Sequence, residues 1–193
     1  MRGVKKNSFL GLLVVATLFA QDVGALPVGD NSLYRSRPDV TFSIGSGSAK
    51  VDCEVYKYTS GIYVYAYQIS NIDSDIGLSF FSVGILDGAN AFEADYELLG
   101  GVTPASWDTV SSPVQSVDAL FTSAIDNGYS STVLWFVSDY TPTLGNGALF
   151  GTASGIPHYA TENLLTPVPE PATIVLLGIG GILTLIRRNR LSG

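Results

Sequence analysis

Cysteine and histidine are nearly missing from this chain: its 193 residues hold one of each, Cys53 and His158. A single cysteine excludes an internal disulfide. One cysteine and one histidine cannot furnish the three or four ligands of a zinc site. A hydrolase triad is not visible either. There is no Gly-x-Ser-x-Gly elbow, and His158 stands in a Gly- and Pro-flanked stretch that reads as a solvated loop. No Walker loop is present, and Gly45-Ser46-Gly47-Ser48 reads as a turn or flexible link. No enzyme activity, metal or cofactor is therefore expected. Positive charge is scarce as well. Between Leu26 and Thr166 only Arg35, Arg37, Lys50 and Lys57 stand against fifteen Asp and Glu, a net charge near −11. Such a surface argues against nucleic acid and anionic lipid headgroups as partners, and suits solubility outside the cell.

Long hydrophobic runs occur only at the two ends. Arg2, Lys5 and Lys6 precede an apolar run from Phe9 to Ala20, and Val23-Gly24-Ala25 places small residues at the −3 and −1 positions. This pattern predicts a signal peptide over residues 1–25, removed by signal peptidase after Ala25. At the other end, Ala172 to Ile186 is 15 residues without a charge. As a helix it would span about 22 Å against a hydrocarbon core of about 30 Å, which fits a temporary hold better than a lasting anchor. Gly178, Gly180 and Gly181 weaken it further. Pro171 suits a first helical position, with Glu170 favourable just ahead of it. Arg187, Arg188 and Arg190 form a basic stop that orients the C-terminus to the cytoplasm. The alternation of Pro167, Pro169 and Pro171 predicts an extended, polyproline-like approach.

The run Val168-Pro169-Glu170-Pro171-Ala172-Thr173, the apolar segment after it and the arginines together resemble the PEP-CTERM sorting signal of Gram-negative bacteria. The resemblance covers residues 167–190. It implies recognition at Val168, Pro169, Glu170 and Pro171 and cleavage nearby by an exosortase, an intramembrane enzyme, in the manner of other sorting signals with removable tails.

Residues 26–166 remain as one domain, large enough for a core without disulfide staples. Period-two alternation and frequent turn residues predict an all-β fold, a single immunoglobulin-like β-sandwich. Eight strands are expected: Thr41–Ile44, Lys50–Tyr58, Ile62–Ser70, Leu78–Leu86, Ala94–Leu99, Val114–Phe121, Ser131–Asp139 and Ala148–Thr152. Gly145-Asn146-Gly147 reads as a connection, and Pro104 and Pro113 bracket a loop holding Trp107. One hairpin can be set in register. With Thr59-Ser60-Gly61 as a three-residue loop, Tyr58 faces Ile62 and Val51 faces Ile69. Val51, Cys53 and Val55 then share the core face with Tyr63, Tyr65, Tyr67 and Ile69. Cys53 is expected to be a small buried hydrophobe.

Tyr56 and Tyr58 fall on the opposite face. With Trp107 they form a candidate ligand surface, since exposed aromatic rings stack on sugars. Asn71, Asp73 and Asp75 could offer hard oxygens to calcium, but without EF-hand spacing an acidic turn is the simpler reading. Glu93, Asp95 and Glu97 alternate toward solvent, and nothing selects a glycosidase pair among the carboxylates. The expectation is an exported, exosortase-processed protein of the cell surface or extracellular matrix, held by its tail until processed, with a structural or adhesive sandwich. The alternatives are a carbohydrate- or calcium-dependent binding module and, last, a secreted polysaccharide hydrolase. Exopolysaccharide is a candidate partner.

Overall fold

The computed structural model describes residues 31–168 apart from 87, 99, 111–114 and 154–155, with backbone alone for 31, 152–153 and 156–159. The described residues form ten strands. These are β1 (Asn31–Ile44), β2 (Gly47–Tyr58), β3 (Tyr63–Asn71), β4 (Leu78–Gly84), β5 (Phe92–Tyr96), β6 (Ser106–Val110), β7 (Ser116–Ile125), β8 (Leu134–Ser138), β9 (Thr141–Ala153) and β10 (Ile156–Val168). They pair into two antiparallel five-stranded sheets, ordered β1-β2-β3-β8-β5 and β10-β9-β4-β7-β6.

Alternation sets the hairpin of β2 and β3. Val51 opposes Ile69 and Lys57 opposes Tyr63, the register expected from the three-residue loop. Gly61 closes that loop at φ 87°, a left-handed conformation that favours glycine. Val51, Cys53, Val55, Tyr63, Tyr65, Tyr67 and Ile69 are all buried on one face. The two sheets meet face to face through aromatic rings. The ring centroids of Tyr67 and Phe81 lie 5.7 Å apart across the core, and those of Trp107 and Phe136 lie 6.2 Å apart. Tyr65 stacks on Phe136 at 5.1 Å within its own sheet. Such pairs each add about 0.5–1.5 kcal/mol beyond area burial.

Four sequence expectations change. Trp107 lies in β6, not in a loop. Its side chain is buried in the core and its indole N–H donates to the Trp135 carbonyl at 2.7 Å. The bracketing prolines marked the limits of a short strand, and only Trp107 along it points inward. Gly145 and Gly147 are not a connection but the middle of β9, where a Cβ on Gly147 would collide with Leu164 and one on Gly145 with Thr166. The glycines give β10 a close seat. No strand was expected after Ala148–Thr152, where the His158 stretch reads as a loop, yet β10 forms there and carries Pro167 into the sheet opposite Pro142. The immunoglobulin arrangement is narrower than what forms. It divides seven strands as ABED and CFG, whereas here three consecutive strands, β1 to β3, lie side by side in one sheet of five.

The strand directions give the sandwich two distinct ends. At one, β2 turns into β3, β8 turns into β9, β1 begins at Asn31 and β10 finishes at Val168. Both chain ends thus leave the domain on the same side. The other end holds the β1–β2, β3–β4 and β7–β8 connections.

Candidate functional site

The end of β10 is the first place where sequence and structure point to function. β10 is an edge strand, which tolerates Pro167 because no further strand needs its missing N–H. Leu164, Leu165, Thr166 and Pro167 are buried. The Leu165 carbonyl accepts a hydrogen bond from the Tyr67 hydroxyl at 2.6 Å and a weaker one from the Cys53 thiol at 3.8 Å. Arg35 on β1 donates from Nη1 to the Pro142 carbonyl at 3.1 Å, beside the Pro142–Pro167 pair. Burial pushes the Cys53 thiol from its ordinary 9.0 up to about 12, and holds the Tyr67 phenol well above its usual range. Both groups stay protonated and act as donors to the last strand, which settles Cys53 as a buried structural thiol.

Val168 is the last described residue and lies opposite Thr141. Pro169, Glu170 and Pro171, the apolar run after them and Arg187, Arg188 and Arg190 lie outside the described residues, as do Val23 and Ala25. Among the described residues no helix is long and apolar enough to cross a membrane. The polyproline expectation is corrected at Pro167, which is held in the β9–β10 ladder.

The second candidate surface is the outer face of the first sheet. Tyr56 and Tyr58 are half-buried there, packed against Val64, Ala66, Val133, Trp135 and Val137, with Ile62 and Phe92 alongside. The Tyr56 hydroxyl donates to Glu54. Burial first, and the Glu54 carboxylate second, push the Tyr56 phenol well above its ordinary range. Trp135 was not singled out from the sequence. Its alternation with Val133 and Val137 was the available signal, masked because every residue of β8 is buried. Trp107, expected on this surface, belongs to the core and is withdrawn from it.

Carboxylates are engaged as structural acceptors where they cluster. Asp73 accepts from the Ser48 backbone N–H at 2.6 Å and its hydroxyl at 2.7 Å, which holds its carboxyl below the usual range. Asn71 donates to the carbonyls of Ile76 and Ile125, both at 3.0 Å, and accepts from the Ser74 N–H at 3.0 Å. These residues build the β3–β4 turn. Among the described residues no cluster of three or more His, Cys, Asp or Glu could hold a metal ion. A cavity of about 250 Å³ opens beneath the irregularity of β1 at Arg37–Val40, lined in part by Pro38, Asp39, Asp52, Glu54 and Gln68. Its acids are tied: Asp52 accepts from the Asp39 N–H at 2.7 Å, and Asp39 pairs with Lys50 at 2.8 Å.

No curated protein and no solved structure matches this chain. A family model does match its C-terminal segment, over residues 167–190. The matched segment starts at the last two residues of β10, so folded domain and matched tail overlap. The chain therefore carries a PEP-CTERM protein-sorting motif, which implies processing by an exosortase and export to the cell surface.

Proposed function

We propose that this chain is a secreted, non-enzymatic substrate of an exosortase whose sandwich has a structural or adhesive role at the cell surface or in the extracellular matrix. The observation that carries the reading is the overlap of the sorting motif with the last strand. The first two matched residues, Pro167 and Val168, end the edge strand β10, with Leu165 just before them held by Tyr67 and Cys53. The predicted signal peptide supports entry to the export route, and the short Gly-containing apolar run supports a transient membrane hold. The engagement of Asp39, Asp52 and Asp73 in structural contacts favours a non-catalytic domain. Mass spectrometry of the mature protein from cells with and without an exosortase tests the reading. Loss of residues 174–190 only where the enzyme is present is expected. An intact tail in both strains would overturn processing and leave a plain anchor.

A second reading is favoured by the aromatic outer face: carbohydrate binding, with Tyr56 and Tyr58 as stacking residues over the Trp135 cluster. Binding on a glycan array, lost in Tyr56→Ala, would support it. An array that stays flat with and without calcium would count against it.

A further inference from the structure

We propose that the end of the sandwich from which both chain termini emerge rests on the headgroup layer of the membrane, with Leu33, Tyr34 and Lys57 as its contact residues. The proposal depends on the reading of residues 172–186 as a membrane-inserted segment.

Chain length carries the first part of the argument. Val168 is fixed in β10, and the uncharged run begins at Ala172. Four residues reach at most roughly 14 Å even when fully extended. The polar layer on one side of a bilayer takes up about 5–8 Å of that span. A domain whose last strand is locked to Val168 is therefore held within roughly 6–9 Å of the headgroups, or against them, while Ala172 is at the hydrocarbon boundary. The end that faces them is the one where β10 stops.

The chemistry of that end carries the second part. Leu33 is 55% exposed and Tyr34 is 50% exposed, although both lie on a strand that borders the core. A register shift between Leu33 and Arg35 departs from strict alternation there. The Tyr34 ring meets Tyr63 edge-on at 5.3 Å, and the Lys57 ammonium lies 5.6 Å and 5.4 Å from the centroids of these two rings. Arg35, also exposed, sits beside the exit of β10 through its bond to Pro142. Tyrosine with a neighbouring cation is the pairing enriched at the membrane interface, where the ring sits at headgroup depth and the charge meets phosphate.

Exposed apolar residues alone do not choose between the ends, because Ile72, Leu98 and Tyr129 are 45%, 60% and 64% exposed at the other one. The cations do. The far end carries Asp73, Asp75 and Asp126, whereas Arg35 and Lys57, two of the domain's four cations, lie toward the near end. The carboxylates toward that end include Asp139 on the β8–β9 turn, Glu93 at the start of β5, and the paired Asp108 and Asp118 close to where β6 passes into β7, with Asp87 in the sequence between β4 and β5. Arg35 and Lys57 nonetheless are the cations beside the tail exit.

Single cysteines test the contact. Cys53 is buried and its thiol stays protonated at neutral pH, so it will not compete for label. The full chain is made as Tyr34→Cys, Tyr129→Cys or Leu176→Cys and labelled with an environment-sensitive fluorophore. It is then reconstituted in zwitterionic phosphatidylethanolamine–phosphatidylcholine vesicles carrying a headgroup-level quencher or an acyl-chain quencher. The acyl-chain quencher acting at position 176 establishes tail insertion. With that in place, headgroup quenching several-fold stronger at 34 than at 129, and weakened by adding Lys57→Glu, is the expected result. Equal quenching at 34 and 129 with position 176 quenched overturns the contact and leaves the tail reading standing. No quenching at 176 overturns the tail reading and this proposal with it. Protection of position 34 that appears only when an exosortase is added overturns the lipid contact in favour of a protein interface. Thermal midpoints matching the unsubstituted chain show that the variants are folded.

Discussion

The two ends of the sandwich are closed by different means. The far end is knitted by buried polar groups. Asn71 alone joins the β3–β4 turn to the end of β7, Ser74 bonds to the carbonyl of Ile44, and Ser131 holds the N–H of Ile69. The near end has fewer such ties, chiefly buried Ser138 donating to the Asn90 carbonyl and Tyr65 donating to the Tyr140 carbonyl, and adds large side chains: Tyr34, Tyr63 and Lys57 across its mouth, and Leu164 and Leu165 on the way to the end of β10. Buried hydrogen-bonded turns hold one geometry at high cost if disturbed, whereas rings and an ammonium at the rim leave polar and apolar surface free to meet something else. The far end is built for stability and the near end for contact.

The strongest test of that contrast is Asn71→Leu. It removes three hydrogen bonds and leaves the Ile76 and Ile125 carbonyls and the Ser74 N–H without this partner, so a loss of roughly 3–5 kcal/mol is expected in urea unfolding. A loss below about 1 kcal/mol would mean the far end is not a stability centre. Next comes Leu164→Ala, a fully buried side chain seated on Gly147. About 2–4 kcal/mol should be lost, with protection of β10 amides falling more than that of β3 amides in hydrogen exchange.

A third test is alkaline. The Cys53 thiol is held up to about 12 in the fold against an ordinary 9.0. Below pH 9 its contribution is complete. As pH rises from 9 toward 12 the unfolded chain gives up the proton first, and stability falls by about 1.4 kcal/mol per pH unit. Cys53→Ala should therefore flatten the fall in unfolding free energy between pH 8 and pH 10.5. An unchanged slope would assign that loss to the tyrosines alone. The smallest effect is expected for Tyr34→Ser, half exposed at the near end: about 0.5–1 kcal/mol or less in stability. A loss as large as that of Asn71→Leu would erase the distinction between the ends.

How much of this was legible depended on whether one face or two were covered. In β2 one face meets the core and the other is partly open, so Val51, Cys53 and Val55 alternate with polar residues, and β3, covered on both faces from Tyr63 to Tyr67, is placed by its three-residue turn to β2. β10 gives no such signal. It packs on β9 and also lies alongside β1, so Leu164 through Pro167 are all buried and the period of two vanishes. Its proline and histidine then read as a loop. Gly145 and Gly147 compounded this, because a glycine that makes room for a neighbour looks in sequence like one that makes a turn. Trp107 shows the converse. One aromatic in five residues of β6 is too little pattern to separate a core strand from an exposed loop. At the sorting site the residues were plain in the sequence, whereas their attachment to the core at Leu165 rests on long-range pairing that no local pattern encodes.

The seating of β10 also fixes how the domain bears load. Its 13-residue ladder with β9 runs along the axis of the strand that ends at Val168, so a pull on Val168 along that axis drags the two strands past each other. The hydrogen bonds then share the load in parallel instead of parting one by one like a zipper. Leu164 caught against Gly147 acts as a mechanical detent in that sliding path. A protein held by its tail against flow, or drawn on by a processing enzyme, would resist through this hairpin before any other part of the sheet.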